Sequence, residues 1–92
     1  MIRNIKHKGL KRFFESGDRR GLPAQFVEKI RMVLAILDTV SDISMINIPG
    51  GRLHELSGDR KGTWSLTINK NWRITFSMDG KDIIDVDFED YH

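Results

Sequence analysis

Residues 63–80 run Thr63-Trp64-Ser65-Leu66-Thr67-Ile68-Asn69-Lys70-Asn71-Trp72-Arg73-Ile74-Thr75-Phe76-Ser77-Met78-Asp79-Gly80. Trp64, Leu66 and Ile68 alternate with Thr63, Ser65 and Thr67, and Trp72, Ile74, Phe76 and Met78 alternate with Arg73, Thr75 and Ser77. Strict alternation belongs to a strand with one face buried and one face free. Asn69-Lys70-Asn71 makes a tight connection and Asp79-Gly80 signals a hairpin. Beyond it Ile84, Val86 and Phe88 alternate with Asp85, Asp87 and Glu89, and before it Arg52 to Leu56 has the composition of a fourth strand. Successive hairpins give a mostly antiparallel sheet.

Upstream the period changes. Leu10, Phe13 and Phe14, within His7 to Ser16, lie three and four residues apart and make one apolar helix face. Ser16-Gly17-Asp18 ends that helix. Pro23 suits the first turn of a second helix reaching about Leu37, whose stripe of Phe26, Val27, Ile30, Val33, Leu34 and Leu37 belongs in a core. Ile2 to Ile5 is expected as a short edge strand, Asp38 to Ile46 as a short helical turn capped by Ser41 or Asp42, and Asn47 to Gly51 as a loop. The fold class is therefore α+β, with two N-terminal helices packed on one face of a small, mostly antiparallel sheet. Ninety-two residues allow one such domain, 1–92, with one core.

The chain has no cysteine, so neither disulfides nor a thiolate metal site supports the fold. No apolar run approaches the ~20 residues of a membrane span, and the first residues lack the apolar core of a signal peptide. A cytoplasmic protein is expected, with no membrane partner. The net charge of +2 is unevenly spread: residues 1–20 carry seven basic groups against two acids, residues 79–92 six acids against one lysine. Lys6, Lys8, Lys11 and Arg12 make the basic end a candidate polyanion contact, because phosphate binding is driven largely by counterion release; a solvated helix face carries the same charges.

The free sheet face carries the candidate chemistry. Alternation directs Arg73, Thr75 and Ser77 away from the helices beside Thr63, Ser65 and Thr67, leaving an exposed arginine on a shallow surface lined by hydroxyls. His54 lies in the preceding strand, and Asp90, Tyr91 and His92 leave the last strand at its end. Cleavage of RNA by attack of a 2′-hydroxyl on its own phosphorus needs a base, an acid and a cation for the charge that builds on the phosphate. Imidazoles suit both proton transfers, a guanidinium offers paired donors, a carboxylate orients an imidazole, and a phenol donates to phosphate or stacks on a base. No metal or other cofactor is needed, and His54, His92 and the scattered acids have no metal-ligand spacing. Taken singly, each of these side chains is as well explained by a structural or solvated role.

Four segments in order, Ile5-Lys6-His7-Lys8-Gly9-Leu10-Lys11, Arg52-Leu53-His54-Glu55-Leu56 with Gly58-Asp59-Arg60, Asn71-Trp72-Arg73-Ile74-Thr75-Phe76, and Glu89-Asp90-Tyr91-His92, resemble the HigB branch of the RelE-like toxins. The likeness covers nearly the whole chain and is weakest around Ile48-Pro49-Gly50-Gly51. It implies a RelE-like fold and a toxin of a type II toxin–antitoxin pair that cleaves mRNA in the ribosomal decoding site. Its partners would be the ribosome, mRNA and a HigA-like helix-turn-helix antitoxin, with operator DNA reached only through that antitoxin. Matched residue by residue, His54 would be base or acid, Arg73 would hold the scissile phosphate, His92 would be the other proton-transfer group, Asp90 its helper, and Tyr91 a member of the same terminal motif.

Three functions fit these residues. One is a ribosome-dependent endoribonuclease anchored to ribosomal RNA by Lys6, Lys8, Lys11 and Arg12. Another is a weakly active or inactive binding module acting as co-repressor of a DNA-binding antitoxin. The third is a free nuclease, disfavoured because a sheet face with few charges holds RNA poorly by itself.

Overall fold

The computed structural model describes residues 1–91; His92 lies outside the described residues. Two helices, α1 (Lys8–Ser16) and α2 (Val27–Thr39), precede four strands, β1 (His54–Glu55), β2 (Thr63–Thr67), β3 (Trp72–Asp79) and β4 (Asp82–Asp90). The strands follow one another across the sheet in chain order, every pair antiparallel. The α+β class expected from the two periods is the one observed.

His7 is the cap of α1, with Nδ1 accepting from the Leu10 N–H at 3.0 Å, and Gly17 closes the helix in the left-handed region at φ 77. Leu10 and Phe13 are buried, but Phe14 is 37% exposed and does not belong to the core face expected of it. Phe14 lies about 100° round the helix from Phe13, at the edge of the buried face, where it lines an open groove with Arg31, Leu34 and Ala35. Pro23 caps a single 3-10 turn, Ala24–Phe26, that leads into α2, and α2 continues past Leu37 to Thr39. Among residues 38–46 only Ile43–Met45 forms a 3-10 turn. Neither expected side chain caps it; the Asp42 carbonyl accepts from the Met45 N–H at 3.1 Å instead.

Val27, Ile30, Val33, Leu34 and Leu37 of α2 meet Leu66, Ile74, Phe76, Ile83, Val86 and Phe88 of the sheet in one core. Residues 2–5 do not form a full edge strand. They run parallel to β4 through two isolated bridges, Ile2 to Ile83 and Ile5 to Val86, with the Arg3 and Lys6 amides donating at 2.8 and 2.7 Å. Among the described residues no helix is long and apolar enough to cross a membrane.

In β4 the structure departs from simple alternation. Ile83 is fully buried, whereas Ile84, expected in the core, pairs with Ser77 on the other face. The register shifts between Thr75 and Ser77, and Asp85 takes a left-handed φ of 55. An extra residue in one strand reverses its phase, so Ile83 and Val86 both face the helices although three positions apart. Asn4 holds the bulge: its Oδ1 accepts from the Asp85 N–H and its Nδ2 donates to Asp85 Oδ1, both at 3.0 Å. A left-handed non-glycine residue stabilised by side-chain hydrogen bonds leaves no trace in a hydrophobic pattern.

This phase predicts a contrast between neighbours. Ile83→Ala is expected to lower unfolding free energy by about 2–5 kcal/mol, the usual cost of emptying a core site. Ile84→Ala is expected to cost about 1 kcal/mol or less, as for a partly exposed side chain. Urea denaturation of the two variants measures the difference.

Candidate active site

The ladder sets three rows of side chains on the face turned from the helices: Thr67, Arg73 and Glu89; His54, Ser65, Thr75 and Asp87; and Thr63, Ser77 and Ile84. His54 and Arg73 thus share a face, two strands and one row apart. At strand spacings of ~4.8 Å and ~3.4 Å per residue their Cα atoms lie on the order of 12 Å apart, within reach of two inward-leaning side chains.

Arg73 is not the exposed cation that alternation alone suggests: its side chain is 17% exposed. Tyr91, two residues beyond Glu89, lays its ring across β3, with the Arg73 guanidinium carbon 5.0 Å from the ring centroid. The phenol oxygen lies 3.0 Å from Thr67 Oγ1, and the Tyr91 N–H donates to the Asn71 carbonyl at 2.9 Å, extending the ladder. Ser65 and Thr75 are likewise buried, so the hydroxyl surface expected here is mostly covered.

Glu89 joins the cluster. Arg73 Nη2 donates to Glu89 Oε1 at 3.2 Å. Arg60, from the 3-10 turn Gly58–Arg60 between β1 and β2, clamps the same carboxylate from two nitrogens at 2.8 and 2.6 Å. Thr75 Oγ1 donates to Glu89 Oε2 at 2.6 Å. These contacts hold the Glu89 carboxyl well below the usual carboxylate range, at about 2, with the Arg60 hydrogen bonds the largest cause and Thr75 and Arg73 adding to them against the opposing effect of burial. Sequence reasoning did not place Glu89 or Arg60 in the site. Glu89 was recoverable, because period two puts it on the face of Arg73; Arg60 sits in an irregular turn whose reach no local pattern reveals.

His54 is exposed, and its Nδ1 lies 2.8 Å from the Arg52 carbonyl. A carbonyl only accepts, so Nδ1 carries the hydrogen, and in the neutral ring Nε2 keeps its lone pair. Arg52 reaches this position through a left-handed backbone, φ 49, that few side-chain-bearing residues adopt. His54 and Tyr91 line one groove of about 370 Å³ together with Arg52, Thr67, Asn69 and Lys70.

The remaining expected residues divide. Asp90 is the last residue of β4, opposite Trp72, and does not leave the strand as expected. Alternation puts it on the helix side of the sheet, away from Arg73 and Glu89, because every second residue changes face. His92 lies outside the described residues. Lys8, Lys11 and Arg12 are exposed at helical spacing along α1, whereas Lys6 lines a separate groove with Asp85, Asp87 and Glu89. Among the described residues no group of three or more histidines and acids is arranged to hold a metal ion.

A family model described as the RelE-like toxin of the type II toxin–antitoxin system HigB matches residues 3–92. The chain belongs to this family. The HigB relative named Endoribonuclease HigB, from Proteus vulgaris, is 47% identical over 92 residues, all of both chains. Toxin HigB-1 of Vibrio cholerae is 35% identical over 83 residues, 87% of each chain. The crystal structure of a YafQ mutant from E. coli matches with a TM-score of 0.62 at 15% identity, over 97% of this chain and 93% of that one, a likeness of fold. The family resemblance and the two-helix, antiparallel architecture expected from sequence are both found. A HigB toxin of a type II system has an antitoxin as its partner.

The Glu89 carboxyl carries a pH prediction. Its value is about 2 in the fold against an ordinary 4.5. A depressed folded value contributes stability that is present above the ordinary value and is lost as pH falls from about 4.5 to about 2. Relative to wild type, Glu89→Gln is expected to lose on the order of 2 kcal/mol at neutral pH. Urea melts should show that deficit shrinking through the acid window as wild type loses the same charge.

Proposed function

We propose that this endoribonuclease toxin cleaves mRNA on the ribosome, in the decoding site, by attack of the 2′-hydroxyl on the adjacent phosphorus. Arg73 holds the scissile phosphate and stabilises the charge that develops on its nonbridging oxygens. His54 is the base: its Nε2 takes the 2′-hydroxyl proton while Nδ1–H stays bound to the Arg52 carbonyl, which holds the ring in place. The 5′-oxygen leaves with a proton from His92, the other proton-transfer group of the family motif, so that the products are a 2′,3′-cyclic phosphate and a free 5′-hydroxyl. Tyr91 holds the face of the Arg73 guanidinium and offers its phenol to the phosphate or to a base. Asp90 acts on its terminal neighbour His92 rather than on the phosphate.

The single observation that supports this reading is the Arg73 guanidinium packed on the Tyr91 ring, on the sheet face it shares with a histidine whose Nε2 lone pair is free of the backbone contact. The same arrangement supports dependence on the ribosome. The groove beside it is open and adds two cations, Arg52 and Lys70, to Arg73, fewer than a strand of RNA held by itself would need, so further positioning comes from elsewhere, with Lys8, Lys11 and Arg12 as anchors to ribosomal RNA and Lys6 a lesser one. The work is done in the cytoplasm, and a HigA-like helix-turn-helix antitoxin neutralises the toxin and carries it to operator DNA.

Expression without the antitoxin is expected to arrest growth and to generate new 5′ ends within translated messages. Arg73→Ala and His92→Ala are each expected to abolish both effects, lowering cleavage by at least about 100-fold, with circular dichroism unchanged. Wild-type cleavage by both variants would sink the assignment; absence of arrest by the wild type, with tighter operator binding by the complex, would make the protein a co-repressor. Lys8, Lys11 and Arg12 changed together to alanine are expected to weaken ribosome association and to flatten its salt dependence by about 2–3 units of slope, measured by co-sedimentation across a salt series.

A further inference from the structure

We propose that Glu89 is a positioning residue for the cleavage reaction: its carboxylate fixes the Arg73 guanidinium, and Arg60 is the counter-charge that takes up that carboxylate. The proposal rests on the reading that Arg73 holds the scissile phosphate, and it supplies the reason that residue can do so.

A carboxylate directly opposite a phosphate-binding arginine is electrostatically wrong by itself. Glu89 is the cross-strand partner of Arg73, so its charge both neutralises that guanidinium and repels an incoming phosphate. Arg60 reverses this. Its two bonds satisfy the carboxylate, so Glu89 is neutralised mainly by Arg60, on the side where Asp87 also lies, and Arg73 gives up only one donor to it. Arg60 arrives from a turn 29 residues away in sequence, at a site that a simple solubility pair would not need.

Four hydrogen bonds converge on the one carboxylate, from Arg60 twice, Arg73 and Thr75. The Thr75 contribution is informative: a hydroxyl buried on the central strand adds direction to the carboxylate, not charge. Glu89 then meets only one amino group of Arg73, at 3.2 Å, while the Tyr91 ring holds the guanidinium face. Arg73 Nε is buried with no hydrogen-bond partner among the described residues. The guanidinium is therefore held in place without being saturated. Arginine ordinarily loses much side-chain freedom when it is fixed; here that freedom is already lost on folding, so the cation need not reorganise as charge builds on the phosphate.

The test is a double-mutant cycle read by single-turnover cleavage of mRNA on programmed ribosomes. Glu89→Gln keeps size and one acceptor but turns an amide donor toward the arginines. It is expected to lower the maximal rate about tenfold, with the apparent affinity for ribosomes within about twofold of wild type. In an Arg73→Ala background the same change is expected to do nothing more, because Glu89 acts through Arg73. A purely structural carboxylate would lower rate by the same factor in both backgrounds, and that result overturns the proposal, as does a loss confined to ribosome affinity. Thr75→Val, which removes the hydroxyl and keeps the shape, carries the same cycle should Glu89→Gln fail to fold. Its expected drop is about threefold, again only when Arg73 is present, and an equal drop without Arg73 overturns the proposal. Undiminished cleavage by Arg73→Ala alone overturns the reading of the site itself and the proposal with it.

Discussion

β3 serves two environments at once, and its pleat separates them. Ile74 and Phe76 are fully buried against the helices, while Arg73 and Thr75 emerge between them on the other face. A strand cannot change one of these faces without moving the other, since each residue is tied to its neighbours through the backbone. Packing α2 onto Ile74 and Phe76 therefore also sets the height and direction of the arginine. The site inherits its precision from the core beneath it and not from a loop.

Around that strand the molecule covers what alternation leaves open. Tyr91 closes one side and Arg60 the other, both through contacts that involve charge. A guanidinium left on an open sheet is strongly hydrated and conformationally loose. One held against an aromatic ring and a shared carboxylate keeps its charge, loses its freedom and sits in a lower local dielectric, where its attraction for phosphate is larger. On the proposed mechanism, folding thereby prepares an electrostatic element that is most strongly engaged when charge develops on the phosphate.

The histidine on the same face is prepared differently. His54 lies on a two-residue strand at the sheet edge and is exposed, so packing does little to orient it. Its orientation comes from the carbonyl of Arg52, two residues before it, presented by a backbone in the left-handed region. One contact sets the ring and its tautomer together. The edge position leaves the ring exposed, which is what the proposed role as base requires.

Much of this was legible in the residues alone. Alternation over 63–78 and the three-four spacing of α2 identified the sheet, its hairpins and the helical layer, because hydrophobic period is local and each element buries one face. The same alternation put Arg73 opposite the core, and family likeness named the motifs around His54 and the terminal residues. Other features needed the third dimension. The phase of β4 depends on a bulge stabilised by Asn4, 81 positions from Asp85. Phe14 follows the apolar pattern, yet α1 is oriented so that Leu10 and Phe13 are buried and Phe14 stands at the rim, half open to solvent. Arg60 and Glu89 are 29 residues apart and meet only because a turn folds over the sheet. The local period determines the face of each side chain where a strand runs unbroken, as in β2 and β3; tertiary structure decides where a bulge resets that phase, as in β4, and which distant charges meet on the face, because both depend on chain paths that no local period encodes.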